Sequence, residues 1–285
     1  MRIAAITMVY RDYWALAQWY RHYAAQLGAA NLYIVSHGSD PKISELCPGS
    51  SVITIPRESF DGFDRERSEM LNAFQLALLK VYDWVLRTDA DELICWDPQR
   101  YDGLADVFAQ NAEFPVLTAL GMDLVAMSPS TVGEPFQDVR DAGFSGHYSK
   151  AFALRIPAGL NLHGVKVAPR NLQRFPFHMP KGLFLVHLKY ANREALFDAN
   201  TVRHQVATSK GIGLPGTAWK EAYAETENFF ETFENKELLP WDDAEEQAHA
   251  FFSDKPSRIE RYSVIKTRVR KWPYRTVLPN WFATL

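Results

Sequence analysis

Apolar runs alternate with helix-period segments along the first 95 residues, and this restricts the fold more than any other feature of the chain. Ile3 to Val9 is a short apolar run of the kind found in a strand buried on both faces. Residues 14–27 place Leu16, Trp19, Tyr20, Tyr23 and Leu27 at helical spacing, and Gly28 stands where a helix stops. Residues 32–35 read as a second strand, Ser39-Asp40-Pro41 as a helix start and residues 52–55 as a third strand. Residues 66–79 gather Met70, Leu71, Phe74, Leu78 and Leu79 on one side, as a helix does. Trp84-Val85-Leu86 is a fourth strand, running into Thr88-Asp89-Ala90-Asp91-Glu92. Strands separated by helices return in parallel, so the order predicts an α/β fold of Rossmann type, a parallel or mixed sheet flanked by helices. Ligands of such sheets sit beyond the carboxyl ends of the strands, where the 89–92 cluster falls.

Charge and composition narrow the classes of function. The 285 residues carry 31 Lys and Arg against 34 Asp and Glu, a net charge of −3, and a generic nucleic-acid binder would show a strong basic excess instead. No nucleic-acid partner is expected. With 47% apolar and 23% charged residues the chain has a globular composition, which argues against disorder. It contains no run of 18 apolar residues, so no membrane-spanning helix is expected. Cys47 and Cys95 are too few for a disulfide scaffold or a thiolate zinc site, and Met1-Arg2-Ile3 leads straight into a strand. A cytoplasmic location is the expectation.

Beyond residue 100 the pattern loosens. Residues 116–120, 124–126, 151–156 and 183–189 read as strands, 138–150 as a loop and 194–205 as a helix. The glycine-rich stretch 210–216 reads as a loop. Residues 219–233, 244–252 and 257–269 read as helices. The expected organisation is a domain over 1–215, in halves 1–100 and 101–215, followed by a helical C-terminal extension over 216–285. Within that extension, 258–275 collects seven Lys and Arg residues with Trp272 and Tyr274, and Trp281 follows. Peripheral contact with an anionic membrane, at its inner face, is the expectation for this segment.

Asp89 and Asp91 stand two residues apart on extended chain, so their carboxylates point to one side and can share a divalent cation, for which hard oxygen ligands select magnesium or manganese. A pair at this spacing arises by chance in any chain rich in Asp. Its weight comes from context: an apolar strand ends there, a third acid follows, and the strand is fourth in an alternating series.

The segment Asp83-Trp84-Val85-Leu86-Arg87-Thr88-Asp89-Ala90-Asp91-Glu92-Leu93 resembles the DxD segment of family 2-like glycosyltransferases. The opening of the chain is similar to theirs as well, with a strand, the turn Tyr10-Arg11-Asp12, an aromatic-rich helix ending Leu27-Gly28, a second strand and the polar pair Ser39-Asp40. The resemblance covers about residues 1–100 well and the remainder loosely. Where that family often carries Asn-Glu after the first strand, this chain has Arg11-Asp12.

The resemblance implies a GT-A fold, a nucleoside-diphosphate sugar donor (a UDP-sugar foremost), a carbohydrate or glycolipid acceptor such as those of cell-envelope polysaccharide synthesis, and bound Mn2+ or Mg2+. It implies Asp91 as metal ligand, Asp89 as ligand or ribose contact, and His187, in Leu185-Val186-His187-Leu188, as a further ligand. Val9, Arg11, Asp12, Asp40, Arg65, Arg67 and Lys189 become candidates for donor binding, and His163 for contact with the acceptor or a phosphate. Transfer would invert the anomeric centre, with Asp123 or Glu134 as candidate base and Asp138 and Asp141 nearby. Residues 1–100 would hold the nucleotide sugar and 101–215 face the acceptor. Two other readings use the same acids. A haloacid dehalogenase-like phosphatase also places Asp-x-Asp after an apolar strand, but prefers Thr or Val where Leu93 stands. A catalytically inactive GT-A protein would bind carbohydrate only.

Overall fold

The computed structural model describes residues 1–58, 61–128 and 134–285. The first third follows the alternation: β1 (Ile3–Val9), α1 (Tyr13–Leu27), β2 (Leu32–His37), α2 (Pro41–Leu46), β3 (Ser51–Ile55), α3 (Phe63–Leu78) and β4 (Trp84–Arg87). The middle contains β5 (Glu92–Trp96), α4 (Leu104–Gln110), β6 (Val116–Thr118), β7 (Leu120–Val125), β8 (Asp141–Phe144), β9 (Ala151–Leu154), β10 (Gly159–Asn161), β11 (Gly164–Lys166) and β12 (Leu183–Tyr190). The last part contains α5 (Arg193–Ala207), α6 (Thr217–Lys220), α7 (Ala222–Glu234), β13 (Glu237–Leu238), α8 (Trp241–Ser253), β14 (Ser257–Ile259), β15 (Val264–Lys266) and β16 (Tyr274–Val277).

Among the described residues the strands form three sheets, ordered β3-β2-β1-β4-β9-β6, β10-β11-β15-β14 and β13-β16-β8-β7-β12-β5. In the first, β3, β2, β1 and β4 are parallel while β9 and β6 run against them. The fold is therefore mixed α/β with helices against the sheets, as the alternation predicts. Every residue of β1 is buried, which explains why it is apolar throughout except for Thr7. One face of α1 delivers Leu16, Trp19 and Tyr23, all fully buried, onto the sheet. The helix stops at Gly28, whose φ of 81° suits glycine and whose N–H closes on the carbonyl of Ala24.

Two features of the core aim the strand ends. The indole N–H of Trp19 donates to Thr88 Oγ1 at 2.8 Å, which ties α1 to the residue before Asp89. Gly121 on β7 lets residues 145–149 lie directly on the strand. A Cβ there would stand 2.0 Å from the backbone of Tyr148, and the Gly121 N–H instead donates to Ser149 Oγ at 2.9 Å.

Two local expectations are corrected. Within 138–150, expected to be loop throughout, residues 141–144 form β8, paired on one side with β7 and on the other with β16 from the far end of the chain. Residues 257–269, expected to be helical, form β14 and β15, which pair with each other and, through β15, with β11. Both strands owe their conformation to distant partners, which local periodicity does not carry. The last seventy residues thus add strands to two sheets besides packing α7 and α8. Their basic residues are partly engaged: Arg258 donates to the carbonyls of Leu172 and Phe175, and Arg275 pairs with Asp141 at 3.1 Å. Among the described residues no helix is long and apolar enough to cross a membrane.

Candidate active site

A cavity of about 620 Å³ opens at the carboxyl ends of β1, β2 and β4. Val9, Arg11, Asp12, Arg67, Asp89, Asp91, His163, His187 and Lys189 all line it, so most of the residues singled out in the sequence meet in one place. Four others lie elsewhere. Asp40 caps α2 by accepting from Lys42 N and takes the hydroxyl of Tyr13 at 2.8 Å. Arg65 pairs with Glu66 on the surface at 2.7 Å. Glu134 is exposed and pairs with Arg21 at 2.8 Å. Asp123 lies beneath His187. Asp138 and Asp141 are also outside the lining: Asp138 accepts from Glu134 N, and Asp141 holds Arg275.

The two acids of the motif have different surroundings. Asp89 meets Arg67 at 2.5 Å and Lys150 at 3.3 Å, and Lys150 also reaches Glu92 at 2.6 Å. The other oxygen of Glu92 receives the Asp89 N–H at 2.9 Å, closing the turn between β4 and β5. Burial opposes ionisation of Asp89, but the charges of Lys150 and Arg67 outweigh it and hold the carboxyl well below its usual range. Burial likewise opposes the charge on Lys150, and Glu92 and Asp89 overcome it and raise its pKa.

Asp91 faces His187 instead, Oδ2 to Nε2 at 3.2 Å, with Arg203 at 3.9 Å. His187 Nδ1 contacts Asp123 Oδ1 at 2.7 Å. Strand register explains the constellation. On β12, His187 lies opposite Glu92 of β5 on one side and Asp123 of β7 on the other. Residues in register point to one face of a sheet, which brings Asp123 to His187, while Asp91 reaches the ring from the turn just before β5. Burial disfavours the imidazolium, yet Asp91 and Asp123 raise His187 to about 9. Tyr148 stacks on its ring at 3.7 Å between centroids. Asp12 is pushed up to about 6 by burial and by Asp91. Lys189 falls to about 8 through burial and Arg203.

At the far end of the cavity, Tyr10, His37 and Arg57 follow or end β1, β2 and β3. The Arg57 guanidinium lies 3.4 Å from the centre of the Tyr10 ring and donates to His37 Nδ1 at 3.0 Å. This flat cationic stack suits a planar or anionic ligand group. The glycine-rich loop docks nearby: the Ile212 carbonyl accepts from Gly62 N at 2.7 Å, the Ile212 N–H donates to Asp61 at 2.6 Å, and Trp219 beyond it lines the cavity.

Sequence reasoning did not find Lys150, Arg57, Arg87, Arg203 or Tyr148. One signal was present for Arg87, a charge at the end of an otherwise apolar strand: it is half-buried and donates to Asn72 and to the carbonyl of Leu160. Lys150 directly precedes the wholly apolar β9, a fainter signal of the same kind.

A divalent cation has a partial donor set here. Among the described residues no group of three or more His, Cys, Asp or Glu side chains is arranged to hold a metal ion. Asp91 Oδ2 and His187 Nε2 do stand as adjacent ligands of one ion would, with Asp123 on the second ring nitrogen, as carboxylates commonly orient ligating imidazoles.

No protein-family model matches the chain, and no curated protein matches it. Solved structures similar to it include a CMP:2-keto-3-deoxy-manno-octonic acid synthetase complexed with CTP, at 15% identity and a TM-score of 0.27, covering 81% of this chain and 85% of that one. A cytidylyltransferase from Leptospira borgpetersenii serovar Hardjo-bovis is similar at 14% identity and a TM-score of 0.30, covering 54% of this chain and 60% of that one. A mannose-1-phosphate geranyltransferase from Thermus thermophilus is similar at 15% identity and a TM-score of 0.32, covering 79% and 68%. The site's chemistry rests on its own residues.

Proposed function

We propose that this chain is a glycosyltransferase that moves a sugar from a nucleoside diphosphate sugar, a UDP-sugar foremost, to a hydroxyl of a carbohydrate or glycolipid acceptor. The observation that carries the reading is that one cavity beyond parallel strand ends joins the Asp89–Asp91 motif to a set of cations, Arg57, Arg67, Lys150, Lys189 and Arg203. In a single displacement the acceptor oxygen bonds to the anomeric carbon while its hydroxyl proton passes to a carboxylate lining the cavity or to water. The bond from that carbon to phosphate breaks with its electron pair, and negative charge grows on the departing diphosphate. Fixed cations placed where charge develops stabilise it without reorganising. Guanidinium groups also match phosphate geometry, which suits Arg57 and Arg203 to the donor end.

Mn2+ or Mg2+, held by Asp91 and His187 with Asp89 at its edge, would supply Lewis-acid stabilisation of that same charge. Asp123 holds His187 in place and acts through it. Asp12 and Arg11, following β1, line the nucleotide side. A panel of nucleoside diphosphate sugars with manganese, scored by thermal shift and by release of nucleoside diphosphate, tests the reading. Release with at least one donor is expected, and no shift and no release with any of them overturns it.

A further inference from the structure

The wall of the cavity facing Asp89 is the hairpin between β10 and β11. Asn161 pairs with Gly164, so only Leu162 and His163 form the turn. Both have positive φ, 51° and 65°. A two-residue hairpin of this hand normally carries Asn-Gly, because a side chain with a Cβ is strained in the left-handed region. Leu does not relieve that strain and His does so only in part, and strain of this kind gathers at functional sites.

What the turn achieves is the placement of one nitrogen. His163 Nδ1 lies 2.7 Å from the carbonyl oxygen of His147. A carbonyl only accepts, so Nδ1 carries the proton. The ring of His147 packs on that of His163 at 4.1 Å between centroids and fixes its plane. Burial, Lys150 and His147 lower the His163 pKa to about 3, so the ring is neutral. Its Nε2 therefore bears a lone pair. Among the described residues it has no hydrogen-bond partner, although His163 lines the cavity. A neutral ring whose one N–H is already used has nothing to give a phosphate oxygen. It accepts from an O–H.

We propose that His163 Nε2 accepts a hydrogen bond from a sugar hydroxyl of the substrate and so helps to decide which sugar the cavity takes. The proposal rests on the glycosyl-transfer reading. A site built to bond a hydroxyl rejects the analogue that lacks it, because its own polar group is left unpaired.

Two measurements test it. Nitrogen-15 NMR of the histidine rings, with His163 assigned by its loss in His163→Gln, should show Nε2 unprotonated at neutral pH, and a proton on Nε2 overturns the proposal. Calorimetric titration with UDP, GDP, their common sugar conjugates and the monodeoxy forms of the conjugate bound best supplies the second. His163→Phe should bind the free nucleoside diphosphate as wild type does, which shows that it folds, while the extra affinity due to the sugar falls about tenfold or more. One deoxy form should be discriminated against by wild type and by His163→Gln, which keeps an acceptor, but not by His163→Phe. Unchanged sugar affinity in His163→Phe overturns the assignment alone, whereas a wild-type protein that binds no nucleotide or conjugate overturns the transfer reading and this proposal with it.

Discussion

The two walls of the cavity hold their chemistry by different means. On the strand-end wall Asp89, Asp91, Glu92, Lys150 and His187 sit in ion pairs, so the buried charges among them, on Glu92, Lys150 and His187, are compensated. On the hairpin wall Leu162 and His163 carry positive φ, and contacts such as that of His163 with His147 hold the site in a strained conformation. Compensated charge is lost when one partner is removed, because the other is left buried and unpaired. Strain is relieved when the strained residue is replaced. Variants of the first wall should therefore cost activity or stability, and a suitable variant of the second should gain stability.

Removing Asp91 gives the largest expected effect. Asp91→Ala deletes the carboxylate that faces both His187 and Arg203. Nucleoside diphosphate release should fall roughly 10²–10³-fold, the usual loss when one preorganised group serving the transition state is removed. The manganese-dependent thermal shift should disappear with it. A variant that keeps both would move the chemistry away from the strand-end wall.

Lys150→Met comes next. The Lys150 side chain is 11% exposed and the Glu92 side chain it meets is 1% exposed. Breaking such a pair from one side costs roughly 3–5 kcal/mol, because the surviving charge stays in a dry setting. Urea denaturation should show that loss, while Lys150→Met combined with Glu92→Gln should recover much of it. A loss below about 1 kcal/mol for the single variant would mean that the pair is more solvated than its burial indicates.

The first wall was partly legible in the sequence and the second hardly at all. The order β1 to β4 was legible because β1, β2 and β3 are each followed by a helix, so every step is encoded within about thirty residues. The end of β4 was visible as an apolar run meeting three acids. That Asp123 would lie on His187 was not visible, because it depends on β5, β12 and β7 pairing in one register across almost a hundred residues. Lys150 belongs to a segment seated on β7 only because residue 121 has no side chain. His163 was visible only as a histidine beside Gly164, and nothing local foretells that Leu162 and His163 make the whole turn.

Acidity offers a subtler test of the first wall. His187 has a folded pKa of about 9, above its ordinary value of 6.5, so its pairing stabilises the fold fully below about pH 6.5 and is lost as pH rises through 9. His22 has the opposite sign. It is buried against the carbonyl of Ile94 and lowered to about 4, so it destabilises the fold as pH falls from 6.5 towards 4. With a chelator present to remove metal, His187's own contribution to stability against urea should therefore appear as an alkaline limb between about pH 6.5 and 9. The alkaline limb, on the order of 2–3 kcal/mol, should be flattened in Asp123→Asn. An unchanged alkaline limb in that variant would show that Asp123 does not hold the proton on His187.

The smallest expected effect, and the one of opposite sign, lies on the hairpin. Leu162 is 43% exposed, so replacing it removes little apolar burial. Asn tolerates the left-handed region far better than Leu, because its short polar side chain bonds to the local backbone. Leu162→Asn should raise stability by about 0.5–1 kcal/mol, a few degrees at most in thermal denaturation of a chain this size. His163 and its bond to His147 stay in place in this variant, so the turn keeps its geometry while part of its strain is removed. If Leu162→Asn destabilises the protein instead, Leu162 is held by packing worth more than the strain. The two walls would then differ in chemistry but not in the way each is held.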